Sequence, residues 1–239
     1  MSTAPVIFHL PTCIDAPDLP PLVARYKALR LHGLTTDPDA FSSTLARETA
    51  FTDEVWESRI RNPLNTSFIA IRKEPGNSEH ENAARSDIAE LSTREWVGQV
   101  TLLGPVVDST PSGDVAGGKT DKPWEAFNAI DFQQAADAVP RIRRGSRVVY
   151  VLVGMYVRPE VRGAGYGRML VERAMEAVKE SCARGAWDAV VLAMVSRGNN
   201  GAKRLYERAG FVARDEPLDV GGHEEWVLEC RYEDLRQVV

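Results

Sequence analysis

The chain has 239 residues, 44% hydrophobic and 26% charged, with a formal net charge of −5. That composition is ordinary for a soluble globular protein able to bury its own core, so folding needs no metal or disulfide. The acidic balance argues against a nucleic-acid partner and suits a basic small molecule or a lysine-bearing peptide.

The elements read in order as follows. Val6 to Leu10 makes a short strand. Pro20 and Pro21 open a helix in which Leu22, Tyr26 and Leu29 recur at i, i+4 and i+7. Asp37-Pro38-Asp39 marks a turn. Thr52 caps a second helix with Trp56 and Ile60 on one face. Ser67 to Ile71 is a strand, and 73–94 a polar surface excursion. Trp96 to Leu103 is a strand ended by Gly104-Pro105. The stretch 105–146 begins with loop residues, has room for a helix over Trp124 to Val139, and carries too few large apolar residues for a core of its own. It is an insertion within a single domain spanning 1–239. Val148 to Val157 is a valine-rich strand covered on both faces. A helix from Gly165 or Gly167 to Arg184 follows, closed by Gly185. Asp188 to Val195 is a buried strand and Ala202 to Ala209 a short helix with Gly210 at C′. Strands beginning at Phe211 and over Trp226 to Arg231 complete an α/β or α+β sheet protein.

Cys13, Cys182 and Cys230 are too sparse for a disulfide framework or a zinc site and read as small buried hydrophobes. The histidines form no metal-ligating pair. The N-terminus has no basic patch followed by an apolar run, and the longest apolar stretch is about half a membrane span. A cytoplasmic or nuclear protein without a membrane partner is the expectation.

The strongest chemical signal is a strand, then Arg162-Gly163-Ala164-Gly165-Tyr166-Gly167, then a helix. Glycines let the backbone turn tightly and approach a ligand with no Cβ in the way. The first N–H groups of the helix have no internal partner and carry the positive end of its dipole. A pyrophosphate fits there, and Arg162 adds a cation. The dinucleotide fingerprint fails, because Arg168 stands where its third glycine would fall after Gly163 and Gly165. Gly113 to Thr120 matches the P-loop pattern letter for letter, but no buried strand precedes it and Pro123 stops a helix after it. An accidental match in a loop is the better reading.

The segment from Val151 to Phe211 resembles the core of the GNAT superfamily of N-acetyltransferases. It carries Met155-Tyr156-Val157-Arg158-Pro159, then Arg162 to Gly167, then Asn199-Asn200-Gly201-Ala202, Leu205-Tyr206-Glu207 and Gly210-Phe211. The resemblance implies a central mixed, mostly antiparallel sheet with a splayed strand pair, flanked by helices, and core motifs within 148–212. It implies acetyl-CoA as co-substrate, with no metal. The pantetheine arm would bond backbone groups of Met155 and Val157. The N–H groups from Arg162 through Gly163, Ala164, Gly165, Tyr166 and Gly167 to Arg168 would hold the pyrophosphate. Asn199 and Ala202 would lie on the cofactor, and Tyr206 would be the general acid toward the leaving thiolate. The acceptor would be an amine of a small molecule, a lysine or a peptide N-terminus; a homodimer stays open. The strand Val148 to Tyr156 has no carboxylate, so no base is named; Glu90, Glu95 and the carboxylates of the insertion are candidates. That gap keeps an alternative, a non-catalytic acyl-CoA-binding module on the same fold. Taken alone, Tyr206, Trp56 and Trp96 read as packing residues, His32 as a partner for the end of the first helix, and the arginines of 141–147 as a solvated face with reach to the 3′-phosphate of CoA or an acidic partner.

Overall fold

The computed structural model describes residues 6–72, 87–108, 142–185, 187–215, 217–220 and 223–232. Two compact units arise, one of residues 1–101 with 153–174, the other of 102–152 with 175–239. The P-loop-like run at 113–120 and the helix expected over 124–139 lie outside the described residues.

In the first unit the strand order is β1 (Val6–Leu10), β2 (Asn65–Ile71), β3 (Trp96–Val107, here to Thr101) and β4 (Arg147–Val157, here from Val153). β1 pairs antiparallel with β2, from Val6↔Ile71 to Leu10↔Ser67. Helix α1 (Leu19–Thr36) starts on its prolines and buries Leu19, Leu22, Val23, Tyr26 and Leu29 on one stripe. It closes where the Asp37 N–H donates to Gly33 O (2.9 Å). The short α2 (Leu45–Thr49) was not foreseen; its cap is Thr44, whose hydroxyl accepts the Arg47 N–H at 3.2 Å. In α3 (Asp53–Arg61) Thr52 takes the N-cap position without a side-chain bond to the helix end, and Trp56 and Ile60 are buried as their spacing requires. These side chains join Ile69, Ile71, Leu91, Trp96 and Tyr156 in one core.

Within 73–94 the described part is not a loose excursion. Helix α4 (Asp87–Thr93) buries Leu91 and sets Glu90 against Arg94 at 3.2 Å, both nearly fully buried. Arg25 donates to the carbonyls of Ser92 (2.8 Å) and Arg94, and Trp96 Nε1 to that of Leu91 (2.8 Å). A polar sequence hides such a helix because its burial rests on paired charges instead of an apolar stripe.

In the second unit the order is β3 (from Leu102), β4 (to Leu152), β5 (Asp188–Ser196), β8 (His223–Arg231) and β6 (Val212–Ala213), with β7 (Leu218–Val220) also on β8. β5 is parallel to β4 and antiparallel to β8, so the sheet is mixed. The parallel register ends at Leu152↔Ala193, and each strand continues. Helix α5 (Tyr166–Gly185) sends Ser181 to the Tyr150 hydroxyl, 2.9 Å away. Helix α6 (Asn200–Arg208) ends before Gly210, which takes φ +90° at C′. The strand expected from Phe211 shrinks to β6. β3 does not stop at Gly104-Pro105: Gly104 adopts φ +117° and the strand goes on to Val107. A Cβ at Gly104 would stand 2.8 Å from Val149 O, so the glycine admits its neighbour. Of the cysteines, Cys182 and Cys230 are buried as expected, but Cys13 is exposed.

Glu48 on α2 has a side chain only 1% exposed. Arg30 reaches it through Nε (3.0 Å) and Nη2 (2.7 Å), and Arg59 through Nη1 (3.1 Å). The guanidinium of Arg30 lies over Phe41, and that of Arg59 over Phe51 and Trp56. Burial pushes the Glu48 carboxyl up, but hydrogen bonds and charge from Arg30 and the charge of Arg59 pull it down further, from 4.5 to about 2. A depressed carboxyl stabilises the fold above its unfolded pKa and loses that contribution as pH falls through the folded value. Urea unfolding should therefore show a loss on the order of 3 kcal/mol between pH 4.5 and about 2. Glu48→Gln should cost about 3–5 kcal/mol at pH 7, by stranding two guanidinium groups, and should flatten that acid slope. An unchanged slope would assign the acid loss to other groups.

Candidate active site

β4 hands the chain to the glycine turn through Arg158 and a 3₁₀ turn, Pro159–Val161, with the Arg162 N–H donating to Pro159 O at 3.2 Å. Gly163 then takes φ +80° and Gly165 φ +89°, a region that penalises any L side chain. Gly167 is already inside α5 and has no positive φ. The Met169 N–H donates to Gly165 O (3.1 Å), so the N–H groups just before it have no intrahelical acceptor. A Cβ built at Gly163 or Gly165 meets nothing within 4 Å, which leaves open space over the turn. Tyr166 is buried at the helix start, and Arg168 turns its guanidinium to Glu172 (2.7 Å). Left-handed glycines, open space and bare N–H groups at the start of a twenty-residue helix together fit a pyrophosphate.

The Arg162 side chain does not point freely outward. Its Nε donates to Val157 O (2.9 Å), while Nη1 and Nη2 reach the two oxygens of Asp37 at 3.3 and 2.5 Å. The hydrogen bond from Arg162 holds the Asp37 carboxyl below the usual carboxylate range, and the same bond raises Arg162. The guanidinium also covers the Tyr156 ring, 5.8 Å from its centroid. Tyr156 Oη meets His32 Nδ1 at 2.7 Å and Thr36 Oγ1 at 2.9 Å. His32 therefore serves Tyr156, more than the end of its helix. Sequence reasoning missed Asp37, Thr36 and Tyr156 because each reads locally as a turn, a polar helix residue or one more member of an apolar run.

Met155 and Val157 are half-buried on β4, next to Gly154, which takes φ +62° within the strand. Glu90 and Glu95, the candidate bases, are both engaged. Glu90 is paired with Arg94, and Glu95 bridges Arg72 (3.2 Å) and Arg158 (3.6 Å). Trp56 and Trp96 are core residues, 0% and 3% exposed.

In the second unit Asn199 is the N-cap of α6, its Oδ1 accepting the Ala202 N–H at 3.0 Å. Tyr206 lies one turn on, 3% exposed, edge-on to Phe211 with ring centroids 5.4 Å apart. Burial raises its phenol far above the ordinary value, so it is fully protonated at neutral pH. Among the described residues no cluster of His, Cys, Asp and Glu could hold a metal, and no helix is long and apolar enough to cross a membrane.

Residues 131–213 match the family model described as the acetyltransferase (GNAT) domain. Among solved structures, Arabidopsis thaliana NAA60 with a bisubstrate analogue is 16% identical with a TM-score of 0.53, over 95% of this chain and 99% of that one. The same protein was also crystallised with acetyl-CoA. A GNAT-family acetyltransferase from Streptococcus pneumoniae is 16% identical with a TM-score of 0.51, over 95% and 98% of the two chains. A putative acetyltransferase from Acinetobacter baylyi is 10% identical with a TM-score of 0.51, over 97% and 96%. No curated protein matches by sequence. At these identities the structures establish the fold alone: the chain has the mixed-sheet fold of these acetyltransferases, and its residues 131–213 are similar to the GNAT domain model.

Proposed function

We propose that this chain transfers an acetyl group from acetyl-CoA to an amine. The observation that carries the reading is the turn Arg162 to Gly167, with Gly163 and Gly165 left-handed beneath open space at the N-terminus of α5. Its backbone N–H groups, through Arg168, hold the pyrophosphate of the co-substrate. Backbone groups of Met155 and Val157 take the pantetheine arm, and one of their N–H groups steadies the developing oxyanion. The amine attacks the thioester carbonyl directly, a C–N bond forms, the C–S bond breaks, and the thiolate takes a proton from Tyr206. The excess amine proton leaves to a base or ordered water. Asn199 and Ala202 lie along the co-substrate. The bisubstrate complex of the Arabidopsis neighbour supports an acceptor of the amine class. We extend this to a small-molecule amine, a lysine or a peptide N-terminus.

Acetyl-CoA at a hundred times its dissociation constant should add about 2.7 kcal/mol, a thermal shift of about 5–10 °C. No shift at millimolar acetyl-CoA or CoA would sink the reading. Gly165→Val puts a branched side chain at φ +89° and into the space over the turn, so it should weaken CoA binding at least about tenfold with the fold retained. Unchanged affinity would place the cradle elsewhere.

Tyr206→Phe keeps the ring on Phe211 and deletes only the proton. In single-turnover assays the acyl-transfer rate should fall about 10²- to 10⁴-fold, with CoA affinity changed less than about tenfold. Near-normal turnover would make Tyr206 a packing residue.

A further inference from the structure

Two side chains of the glycine turn's entry, Tyr156 and Arg162, are held by the last turn of α1. Gly33 gives the ring of Tyr156 its seat: a Cβ there would lie 3.1 Å from Tyr156 Cγ and 3.4 Å from Phe41 Cζ. His32 and Thr36 fix the hydroxyl of Tyr156. Asp37, the C-cap residue, takes both Nη atoms of Arg162 in a two-pronged bond. The remaining Nε is spent on Val157 O, five residues back along the chain. Three of the five N–H groups of the guanidinium, one on each nitrogen, thus have a protein acceptor, and the bond to Val157 closes the loop 157–162 upon itself, just where Gly163 begins the cradle.

A guanidinium committed in this way is a tie within the loop, not a spare cation for a phosphate. Asp37 sets its direction, because a planar fork is oriented by a planar carboxylate. We propose that Asp37 is a positioning residue for the co-substrate cradle: it locks Arg162 in the loop-closing pose, so that backbone N–H groups alone, and not the Arg162 side chain, meet the pyrophosphate. This rests on the reading of the turn as a CoA cradle.

The two roles of Arg162 differ in sign when Asp37 is neutralised. If Arg162 were a phosphate ligand, Asp37→Asn would free its charge and leave CoA binding equal or tighter. If Arg162 is a tie, Asp37→Asn loosens the loop and weakens binding. The pair is partly exposed, side chains 31% and 45%, so the effect is moderate, about three- to tenfold in Kd. The experiment is calorimetric titration of the full-length protein with CoA, and with pantetheine, which lacks the phosphates. Asp37→Asn should raise the Kd for CoA and leave that for pantetheine within about twofold. Asp37→Glu should recover most of the affinity. Arg162→Gln should match Asp37→Asn, and the double variant should be no worse than either, because both break one tie. In turnover the loss should fall on KM for acetyl-CoA while kcat holds. CoA bound equally or more tightly by Asp37→Asn overturns the proposal, as does additive loss in the double variant. A lower Tm with unchanged Kd also overturns it, since it reduces Asp37 to a stabilising contact. Should Asp37→Asn fold poorly, Arg162→Lys carries the test, since it keeps the charge but cannot bond Val157 O and both oxygens of Asp37 at once, and wild-type CoA affinity there counts against the proposal. Wild-type protein that binds no CoA fails differently, and rejects the cradle itself.

Discussion

A helix offers its first N–H groups to an anion only if the chain reaches it without a side chain or carbonyl across its axis. Here the constraint is met by two residues with φ near +80° and +89°, which only glycine adopts without cost. The rest of the first unit supports it. The turn cannot stiffen itself, because glycine has the largest conformational entropy to lose. Its rigidity must come from its flanks: the twenty-residue helix α5 on one side, and on the other the 3₁₀ turn with the Arg162 bond to Val157 O.

That division of labour explains why polar groups crowd the last turn of α1 and the helix after it. Charges cost free energy to bury, and partners recover it only when geometry is good. Glu48 with Arg30 and Arg59, and Asp37 with Arg162, are two-pronged arrangements stacked on aromatic rings. Such pairs specify direction as well as attraction. A hydrophobic contact at Asp37 would hold α1 near β4 but would leave the guanidinium free to rotate.

What the sequence disclosed was local. Leu22, Tyr26 and Leu29 declare a helix because burial repeats with the helical period, whereas the valines of 148–157 declare a buried strand by an unbroken apolar run. The glycine run announced its own backbone. What it hid depended on distant partners. Asp37 and Arg162 are 125 residues apart, and nothing in Asp37-Pro38-Asp39 reveals which cation it faces. Gly104-Pro105 reads as a strand end until Val149 O is seen against Gly104. Helix α4 is invisible to an apolar pattern because Glu90 and Arg94 are buried as a pair.

Tyr206 shows how burial shapes the chemistry assigned to it. In water a phenol near pKa 10 and a thiol near 8.5 differ by about 1.5 units, so the proton passes at a cost of about 2 kcal/mol. Desolvation raises the Tyr206 phenol, which keeps the donor loaded at any physiological pH but makes full transfer to a free thiolate uphill. A donor of this kind acts on the developing sulfur charge more by hydrogen bonding than by full proton transfer. In the proposed transfer, charge would gather on sulfur as the C–S bond breaks, and a buried hydroxyl would meet that charge as a hydrogen-bond donor. The burial that weakens the acid in isolation strengthens its hydrogen bond to that charge. If Tyr206 has the proposed role, its burial would favour stabilising the departing thiolate through a strong hydrogen bond.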